Sequence, residues 1–524
     1  MSDRSFPKTT RGAWSRRRFL QTTAGALAIA PMLGAAGCES DDDAPAKTEP
    51  KISPVGAGAK VAHGPTAGGV TDRAVRLAVR LDGPAKVQFR LTAAGKTWTS
   101  KPTLTKAEED FCCVLDVSGL PAATDFAVET LVDDAVEQEG AITTRTFPAT
   151  GKPADFNFCF GSCCRYNEGF DGTNTSNNGA MFQVAASWPD KPAFFAQIGD
   201  WTYPDYAFVD SGVDEQGNNH TVYPEELKKA WRRRFTKQYP LRSLLQKVPL
   251  AHVWDDHDFA ENNAWKGVSG SQAVRIAAFS RYLPHYPLTP LVGTDSTRAG
   301  AWQKFTCGHC EFFLVDMRSQ RTQVEPAFQE FEDAGLTKYK LVEPAGHTML
   351  GPDQLTWLVD GLKASKAMWK FVFFPIEVNP RYDALLQRAM DEGIKLIVTA
   401  LGDSWVGYPT ERKQFMDLHT SGQVKNLVFM TGDAHMAAMK GREPESPPCF
   451  MSANLDIGQA PIMDLIETFG VDKKTIWPEW SQGSEGEGTI GRIRVVTSPK
   501  HQIVMECWGP AGDILHSMTI DADV

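Results

Sequence analysis

The side chains best suited to chemistry lie together in residues 254–263, which read Trp-Asp-Asp-His-Asp-Phe-Ala-Glu-Asn-Asn. Carboxylate and carboxamide oxygens bind hard cations, and a histidine binds metals or transfers protons near neutral pH. An apolar segment, residues 248–253, precedes the run and is typical of a short buried strand. Because charges at the carboxyl end of such a strand face a crevice, the run indicates a metal-dependent active site.

Three further segments place similar side chains directly after apolar runs. They are Phe160-Gly161-Ser162-Cys163, Ile198-Gly199-Asp200-Trp201-Thr202-Tyr203 and Met430-Thr431-Gly432-Asp433-Ala434-His435. An isolated acidic run is usually a solvated loop, but four such strand ends in one chain favour a shared metal site.

Such ligands suit the metal-dependent hydrolysis of phosphate esters. Two cations about 3.5 to 4 Å apart bind phosphate oxygens, lower the pKa of a bound water and need a bridging carboxylate. Asp200 is the natural bridge. The other ligand candidates from these strand ends are Tyr203, Asp256, Asn262 or Asn263, Asp433 and His435.

The elements that would position these side chains follow an α/β pattern over residues 150–524. Amphipathic helices are predicted at residues 223–237, 241–246 and 353–365. Buried strands are predicted at residues 156–160, 193–198, 248–253, 312–316, 369–374, 394–401, 427–430 and 493–496. Strands that alternate with helices in this way are typical of an α/β domain.

Residues 61–149 show a different pattern. Short alternating segments, such as residues 74–81 and 87–91, are separated by turn residues about every ten positions. With no helical stretch among them, these segments predict a small all-β sandwich of immunoglobulin or fibronectin type. Residues 148–155 are then the hinge into the α/β domain.

The N-terminus indicates export. Residues 15–20, Ser-Arg-Arg-Arg-Phe-Leu, match a twin-arginine signal, and the weakly apolar residues 24–36 are too few for an ordinary membrane span. Residues 1–37 are therefore predicted to be a twin-arginine signal peptide, with the twin-arginine translocation machinery as a partner. An amphipathic or membrane anchor is the alternative interpretation.

A lipid anchor is also suggested just beyond the signal. Ala35-Ala36-Gly37-Cys38 resembles a bacterial lipobox that lacks its usual leucine, which makes Cys38 a candidate for lipidation. Residues 38–60 are rich in Asp, Pro, Lys and Ala without periodicity and predict a flexible tether. The mature protein is thus predicted to be periplasmic, a cell-surface lipoprotein or secreted.

Composition and net charge favour a globular protein and argue against one that binds nucleic acid. At 524 residues, 42% hydrophobic and 23% charged, the chain is long enough for two folded units and is ordinary for a globular protein. The formal charge is -10, and without the basic residues 1–37 it falls to -15. This acidic body argues against nucleic-acid binding, although phosphorylated substrates stay possible where metal ions provide positive charge.

The chain has ten cysteines, which is more than exported proteins usually leave unpaired. Because export reaches an oxidising compartment, disulfides among them are possible, but the sequence does not determine their connectivity. Cys307-Gly308-His309-Cys310 has the spacing of a redox pair, of half a zinc site or of a structural turn. The structural turn is favoured, because no second pair with this spacing completes a tetrahedral site.

Motifs across residues 155–440 resemble the alkaline phosphatase D, or PhoD-like, branch of the metallophosphoesterases. They occur in the family's order: Phe-Gly-Ser-Cys at 160–163, Gly-Asp-x-x-Tyr at 199–203, Trp-Asp-Asp-His-Asp with Glu-Asn-Asn at 254–263, Leu-Val-Asp-Met-Arg-Ser-Gln-Arg at 314–321, Leu-Gly-x-x-Gln-x-x-Trp-Leu at 350–358 and Gly-Asp-Ala-His at 432–435. The resemblance implies a four-layer α/β/β/α domain, phosphoester hydrolysis and a metal centre.

The resemblance also implies the metals. Fe(III) would be bound by Cys163, Asp200 and Tyr203, and Ca²⁺ would share Asp200 and take Asp433 with one asparagine of residues 262–263. The ligand types agree, because thiolate and phenolate suit Fe(III) whereas carboxylate and carboxamide oxygens suit Ca²⁺. A buried structural thiol or a disulfide with the adjacent Cys164 is the alternative for Cys163.

Other polar residues are candidates for catalysis beside Asp256. His257 is predicted to donate a proton to the leaving oxygen or to hold Asp256 in place. Arg318 and Arg321 could orient phosphate as forked donors, and at least one of them is expected to form a salt bridge to Asp316 or a neighbouring loop instead.

Residues 403–409 resemble a further family motif, Asp-x-Trp-Asp-Gly-Tyr, but Val406 stands where the second Asp is found. Contact of this loop with the substrate is therefore not expected, and Trp405 and Tyr408 are predicted to pack.

The predicted function is an exported metal-dependent phosphoesterase acting on phosphate monoesters, diesters or both by direct attack of a metal-bound hydroxide. No Gly-x-Ser-x-Gly motif of a serine esterase is present in the sequence. One alternative is a phospholipase or a wall-polymer phosphodiesterase of the same fold. The alternative from another class is a surface binding protein with a degenerate metal domain.

Overall fold

The computed structural model describes residues 58–165, 177–203, 224–236, 239–267, 272–288, 300–458, 467, 470–482 and 488–523. The predicted signal peptide, Cys38 and nearly all of the predicted tether lie outside these residues. Within the described part, no helix is long and apolar enough to span a membrane.

The strands of the described part are β1 (Val61–Gly68), β2 (Ala74–Leu81), β3 (Lys86–Ala93), β4 (Lys96–Thr99), β5 (Thr103–Leu104), β6 (Cys112–Ser118), β7 (Asp125–Val132), β8 (Ala135–Arg145), β9 (Phe156–Gly161), β10 (Phe195–Ile198), β11 (Leu250–Val253), β12 (Gln303–Cys307), β13 (Cys310–Leu314), β14 (Phe328–Asp333), β15 (Leu336–Leu341), β16 (Trp369–Phe374), β17 (Leu427–Thr431), β18 (Ala437–Lys440), β19 (Cys449–Ser452), β20 (Trp480–Ser481), β21 (Ile490–Val496), β22 (Gln502–Trp508) and β23 (Ile514–Asp521).

The α-helices of the same part are α1 (Ala180–Ser187), α2 (Pro224–Arg234), α3 (Leu241–Leu245), α4 (Asp256–Phe259), α5 (Gln272–Tyr282), α6 (Gly351–Ala364), α7 (Tyr382–Asp391), α8 (Lys395–Gly402), α9 (Pro409–Thr420) and α10 (Lys473–Ile476). Short 3-10 turns occur at Ala107–Glu109, Glu325–Ala327 and Trp405–Gly407.

Two large sheets organise the molecule. The first has nine strands in the order β23-β22-β21-β9-β10-β11-β1-β2-β6, and β9, β10 and β11 run parallel at its centre. The second has seven strands in the order β12-β13-β16-β17-β19-β18-β20, and β13, β16, β17 and β19 are parallel. Because parallel strands end on the same side, each sheet presents several carboxyl ends together.

Phenylalanine rings join the two sheets face to face. The ring of Phe158 on β9 lies 5.2 Å from Phe312 on β13 and 5.1 Å from Phe371 on β16, both edge-on. Phe160 meets Phe450 of β19 at 4.9 Å in the same geometry. All five rings are fully buried. Edge-to-face pairs of this kind stabilise a core beyond their buried area, so the sheets are held at a fixed separation.

Helices cover the outer faces of the sheets. On the second sheet, Phe374 of β16 alternates with Phe371 and packs against Phe415 of α9 at 5.2 Å. On the first sheet, Phe182 of α1 lies edge-on to Phe195 of β10 at 6.0 Å. The predicted mixed α/β architecture is therefore confirmed.

One predicted strand is wrong. Residues 394–401 form helix α8, Lys395–Gly402, rather than a buried strand. Ile397, Val398 and Leu401 are buried while Leu396 is 39% exposed, so only one helical face meets the core. A short apolar run has no period that separates a strand from a buried helix, and here packing against the neighbouring helix α7 decides the outcome.

The N-terminal strands belong to two sheets. β1, β2 and β6 extend the first large sheet, where Gly68 of β1 pairs with Leu250 of β11, and β3, β4, β5, β7 and β8 form a separate five-stranded sheet. The nine-stranded sheet therefore crosses residue 149, where the domain boundary was predicted. The immunoglobulin or fibronectin type of sandwich stays a prediction.

The Cys307–Cys310 segment is the turn between β12 and β13, where the two cysteines are direct register partners. The preferred interpretation as a structural turn is confirmed. All nine cysteines of the described residues are buried, and each is a thiol rather than half of a disulfide.

A buried carboxylate fastens the N-terminal strands to two helices of the α/β region. Asp110, which is 5% exposed, accepts hydrogen bonds from Arg80 Nε at 2.9 Å, Arg232 Nε of α2 at 2.8 Å and the Tyr282 hydroxyl of α5 at 2.5 Å. Burial alone would raise the pKa of Asp110, but these donors hold it well below its usual value.

We predict that Asp110→Asn lowers the free energy of unfolding by about 2 kcal/mol at neutral pH, because it leaves two partly buried guanidinium groups without their anion. The matched control is Asp116→Asn, since Asp116 pairs with Arg76 at 2.7 Å but is 59% exposed, and less than about 1 kcal/mol is expected there. Denaturant unfolding measures both values. The stabilisation from a depressed pKa is complete above the unfolded-state pKa of about 4 and is lost as the pH falls toward the lower folded-state pKa, so the Asp110→Asn effect should shrink below about pH 4. Equal effects of the two variants would contradict this role of Asp110.

Candidate metal centre

The predicted strand ends meet at one place. Cys163 follows β9, Asp200 follows β10, Asp256 follows β11, and Asp433 and His435 follow β17 of the second sheet. Three sets of side chains offer ligand atoms that lie within 4.8 Å of one another: Cys163, Asp200 and His435; Asp200, Asp256 and His257; and Asp255, Asp256 and Asp433. Since the sets share Asp200 and Asp256, they form one continuous cluster.

The loops after β10 and β11 touch closely at the cluster. Gly199 has φ 108°, and a Cβ atom at that position would lie 2.5 Å from the Asp255 Cβ. A side chain at Gly199 would therefore push Asp200 and Asp255 apart, which explains a glycine at this point of the chain.

Positive backbone φ angles concentrate among the predicted ligands. Cys163, Asp200, Asn263, Asp433 and His435 have φ values of 62°, 56°, 59°, 65° and 48°. The left-handed region is unfavourable for residues with a Cβ atom and persists where the surrounding structure imposes it, commonly at functional sites. Cys163, Asp200 and Asp433 each adopt it two residues beyond the end of a strand.

Asp200 occupies the centre of the cluster. It is 1% exposed, its Oδ2 accepts the Tyr203 hydroxyl at 2.8 Å, and its Oδ1 has no hydrogen-bond partner. Burial, and next the negative charge of Asp256, raise the pKa of Asp200 well above its usual value. A buried carboxylate oxygen without a donor requires explanation, and a bound cation provides one.

Cys163 and Tyr203 flank Asp200 and are both buried. The Cys163 Sγ lies 3.1 Å from the Ser162 Oγ, and its backbone N–H donates to the Gly199 carbonyl at 3.2 Å. Burial, followed by the charge of Asp200, raises the pKa of the thiol and of the phenol well above their usual values. Both groups therefore need a nearby cation to become anionic ligands.

Asp256 is the carboxylate held most firmly in its ionised form. Its oxygens accept the backbone N–H of His257 at 2.9 Å and of Asn263 at 2.6 Å. Burial alone would raise the pKa of Asp256, but Arg318 and His257 hold it well below its usual value. The side chains of Asn262 and Asn263 are exposed. What this pair contributes to the cluster in the structure is the backbone N–H of Asn263, which donates to Asp256.

Asp255 and Asp258 form a capping box around the single turn of α4. Asp258 also accepts the backbone N–H groups of Trp201 at 3.1 Å and Thr202 at 2.7 Å. It thereby ties the Asp200 loop to the Asp256 loop, which is how the local sequence fixes the two carboxylates relative to each other.

His257 lies on the Tyr203 ring. The two ring centres are 4.4 Å apart, and His257 is 5% exposed. Its ligand atom also falls in one set with Asp200 and Asp256. His257 is therefore positioned to act on a group bound at the cluster or to hold these carboxylates.

Arg318 is fully buried and turned toward carboxylates. Its Nε donates to Asp255, its Nη1 donates to Asp403 at 3.1 Å, and its Nη2 lies 3.7 Å from Asp256. The expected salt bridge to Asp316 or a neighbouring loop is confirmed for the loop, through Asp403, whereas Asp316 accepts the backbone N–H of Arg318 at 3.0 Å. The guanidinium of Arg318 therefore forms its ion pairs with the carboxylates of the acidic cluster and with Asp403.

Asp403 was missed as a site residue. It accepts Arg321 Nη2 at 2.5 Å as well as Arg318, so one buried carboxylate joins both arginines. The sequence feature that could have identified Asp403 as a site residue is its position at the start of the 403–409 motif. In that loop Val406 and Trp405 are buried, and the Tyr408 hydroxyl donates to the Thr322 carbonyl at 2.6 Å, so these residues pack as predicted.

The residues present fit a centre of two cations. One side offers a thiol, a phenol, an imidazole and the Asp200 carboxylate; the other offers Asp255, Asp256 and Asp433. Unpartnered buried oxygens, Oδ1 of Asp200 and Oδ2 of Asp255, occur on both sides. Arg318 offsets only part of this negative charge, and metal ions would offset the rest.

Comparison with known proteins gives a consistent result. The family model of the PhoD-like phosphatases matches residues 158–454. Alkaline phosphatase D of Bacillus subtilis (strain 168) is 25% identical over 305 residues, which cover 56% of this chain and 48% of that protein. The chain thus spans about half the length of this curated relative in the match.

Solved structures agree in fold. A structure of PhoD superposes with a TM-score of 0.65 at 16% identity and covers 90% of each chain. Purple acid phosphatase PPD1 from seeds of yellow lupin, Lupinus luteus, superposes with a TM-score of 0.54 at 10% identity and covers 87% of this chain and 74% of its own. This chain therefore shares its mixed α/β fold with both structures.

Proposed function

Because the chain belongs to the PhoD-like phosphatases, we propose that it is a metal-dependent phosphoesterase that hydrolyses phosphate monoesters, diesters or both. The observation that carries this proposal is the convergence of Cys163, Asp200, Asp256, Asp433 and His435 around buried oxygens without hydrogen-bond donors. Bound metal ions would bind the phosphate oxygens and activate water for direct attack on phosphorus.

Fe(III) and Ca²⁺ are the metals that we propose. Cys163, Asp200 and Tyr203 would hold the iron, and His435 lies in one ligand set with two of them. Asp200 and Asp433 would hold calcium with Asn262 or Asn263. A thiol and a phenol beside one carboxylate favour Fe(III) over the oxygen-preferring cations.

His257 is proposed to donate a proton to the leaving oxygen. Its place against Tyr203 and within the Asp200–Asp256 ligand set supports this role. Asp256 is proposed to bind calcium or to orient His257. Arg318 is proposed to keep Asp256 ionised, since its buried guanidinium lies 3.7 Å from that carboxylate and lowers its pKa against the effect of burial.

Two alternatives are kept. A phospholipase or wall-polymer phosphodiesterase of the same fold would use the same metals, and initial rates on p-nitrophenyl phosphate and bis(p-nitrophenyl) phosphate compare the two ester classes. A surface binding protein with a degenerate metal domain is disfavoured by the assembled ligand set.

We predict that the purified protein contains iron and calcium and absorbs visible light through tyrosinate-to-iron charge transfer. Tyr203→Phe should abolish this band, Cys163→Ser should shift it and lower the iron content, and Tyr408→Phe, a buried tyrosine of the 403–409 loop, should leave it unchanged. Elemental analysis and absorption spectra measure these effects. A colourless protein that contains only zinc would refute the ligand assignment, and no activity after metal reconstitution would support the binding-protein alternative.

His257→Gln should reduce kcat about 100-fold or more on an alkyl phosphate, because such a leaving group needs a proton. The loss should be much smaller on p-nitrophenyl phosphate, whose leaving group departs as the anion, and the metal content should match that of the wild type. Equal losses on both substrates, or a loss of metal, would show that His257 does not act as the proton donor.

Export through the twin-arginine pathway is also proposed, with residues 15–20 as its support. The double variant Arg16→Lys, Arg17→Lys should accumulate in the cytoplasm, as fractionation would show.

Labelling with a fatty-acid analogue that is lost in Cys38→Ser would demonstrate the lipid anchor, whereas label retained in Cys38→Ser would place the lipid elsewhere.

A further inference from the structure

Ser162 connects the two sides of the metal centre. It follows β9 directly, is 1% exposed, and its hydroxyl oxygen lies 3.1 Å from the Cys163 Sγ. The same oxygen accepts the backbone N–H of Asp433 at 3.2 Å. One buried hydroxyl therefore contacts the sulfur of a proposed iron ligand on the first sheet and the backbone of a proposed calcium ligand on the second.

The main chain on both sides holds this hydroxyl in place. The Ser162 N–H donates to the Ser452 carbonyl at 3.0 Å, and the Ser162 carbonyl accepts the Leu455 N–H at 3.1 Å. A Cβ atom at Gly432 would lie 2.6 Å from the Ser162 Oγ. The close approach of the loop after β17 to the hydroxyl therefore depends on the glycine at this position.

The ionisation of Cys163 decides which group donates. A serine hydroxyl has one proton to donate and two lone pairs that accept. While Cys163 is a thiol, either its S–H or the Ser162 hydroxyl can donate across the 3.1 Å contact. A thiolate has no proton, so only the hydroxyl can donate to it, and a lone pair of the hydroxyl still accepts the Asp433 N–H. As a thiolate ligand, Cys163 therefore receives a hydrogen bond from Ser162.

A hydrogen bond to a thiolate ligand also changes the properties of the bound cation. The donated proton draws electron density from the sulfur, which then donates less charge to the cation. Hydrogen bonds to cysteine sulfur are among the features that set the reduction potentials of iron and copper sites. A sulfur that donates less charge favours the ferrous state and leaves a ferric ion a stronger Lewis acid.

We propose that Ser162 is a positioning residue that donates a hydrogen bond to the Cys163 thiolate and thereby sets how much charge the sulfur donates to its cation. The inference rests on the proposed metal centre of the phosphoesterase and deepens it. Control of reduction potential and Lewis acidity is assigned to a side chain outside the ligand sets. Because the Asp433 N–H occupies a lone pair of the hydroxyl, the loop after β17 restrains the rotation of the donor.

The reduction potential of the full-length, iron-loaded protein tests this role. Ser162→Ala should lower the ratio of ferrous to ferric protein about tenfold at a fixed potential, or about 59 mV for a one-electron couple, because a hydrogen bond to a charged group is lost. Ser162→Thr, which retains a hydroxyl, should stay near the wild-type potential. The metal content should be the same in all three proteins.

A cobalt-substituted protein gives a second measurement that does not depend on the native metal. Co²⁺ bound by a thiolate shows a sulfur-to-cobalt charge-transfer band. This band should move to longer wavelength in Ser162→Ala, because loss of the hydrogen bond raises the energy of the sulfur lone pairs. Ser162→Thr should restore the wild-type position, which a merely structural role of Ser162 would not predict.

Ser452→Ala is the matched control. Ser452 is also a fully buried serine, and its hydroxyl lies 3.4 Å from the Thr489 hydroxyl, so its loss should change neither the potential nor the band. An unchanged potential, an unchanged cobalt band or a loss of metal in Ser162→Ala would overturn the role of Ser162. Equal shifts in the two alanine variants would do the same. Hydrolysis of phosphate esters by the wild type would still uphold the proposed function in each of these cases.

The wild type itself separates failure of the inference from failure of the proposed centre. If the Co²⁺-loaded wild type shows no sulfur-to-cobalt band, Cys163 binds no metal, and both the proposed iron site and the inference are overturned. If the band is present but the metal-loaded protein hydrolyses no phosphate ester, the proposed function fails, whereas the role of Ser162 is still decided by the shift in Ser162→Ala.

Discussion

Buried negative charge at the ends of two sheets is the constraint on which the site depends. Asp200, Asp255 and Asp256 are each 1% exposed and lie beside Asp433. Carboxylates so close together in a buried crevice repel one another and lose hydration, which costs several kcal/mol for each ion unless cations compensate. One buried guanidinium, Arg318, offsets part of this charge, and Oδ1 of Asp200 and Oδ2 of Asp255 have no hydrogen-bond partner.

The scaffold around that cluster resists its repulsion. Parallel strands of both sheets end on the same side, and the phenylalanine core between the sheets fixes the distance between those ends. Asp258 ties the Asp200 loop to the α4 turn, and Cys163, Asp200, Asp433 and His435 all have left-handed backbone angles. A rigid frame of this kind holds like charges at separations that they would not adopt alone, which prepares the site for metal ions.

The sequence predicted the parts of this arrangement that depend on local pattern. Cys163, Asp200, Asp256 and Asp433 each follow an apolar run, and topology alone then brings them together. Residues 394–401 were predicted wrongly, because their apolar run lacks a decisive period and packing against helices determines its state. The pairing of Arg318 with Asp403, 85 residues apart, depends on the folded loops and carries no local signal.

Long-range polar pairs also explain how the N-terminal strands relate to the site. Strand β11 carries the residues 254–263, and β1 pairs with it at Gly68 and Leu250. Asp110 then binds α2 and α5, and α5 packs beside the α4 turn that contains Asp256 and His257. The pairing of β1 with β11 and the hydrogen bonds of Asp110 therefore support the same loop from two directions. A loss of N-terminal packing would reach the acidic cluster through α4, because its single helical turn has too few internal hydrogen bonds to hold its position unaided.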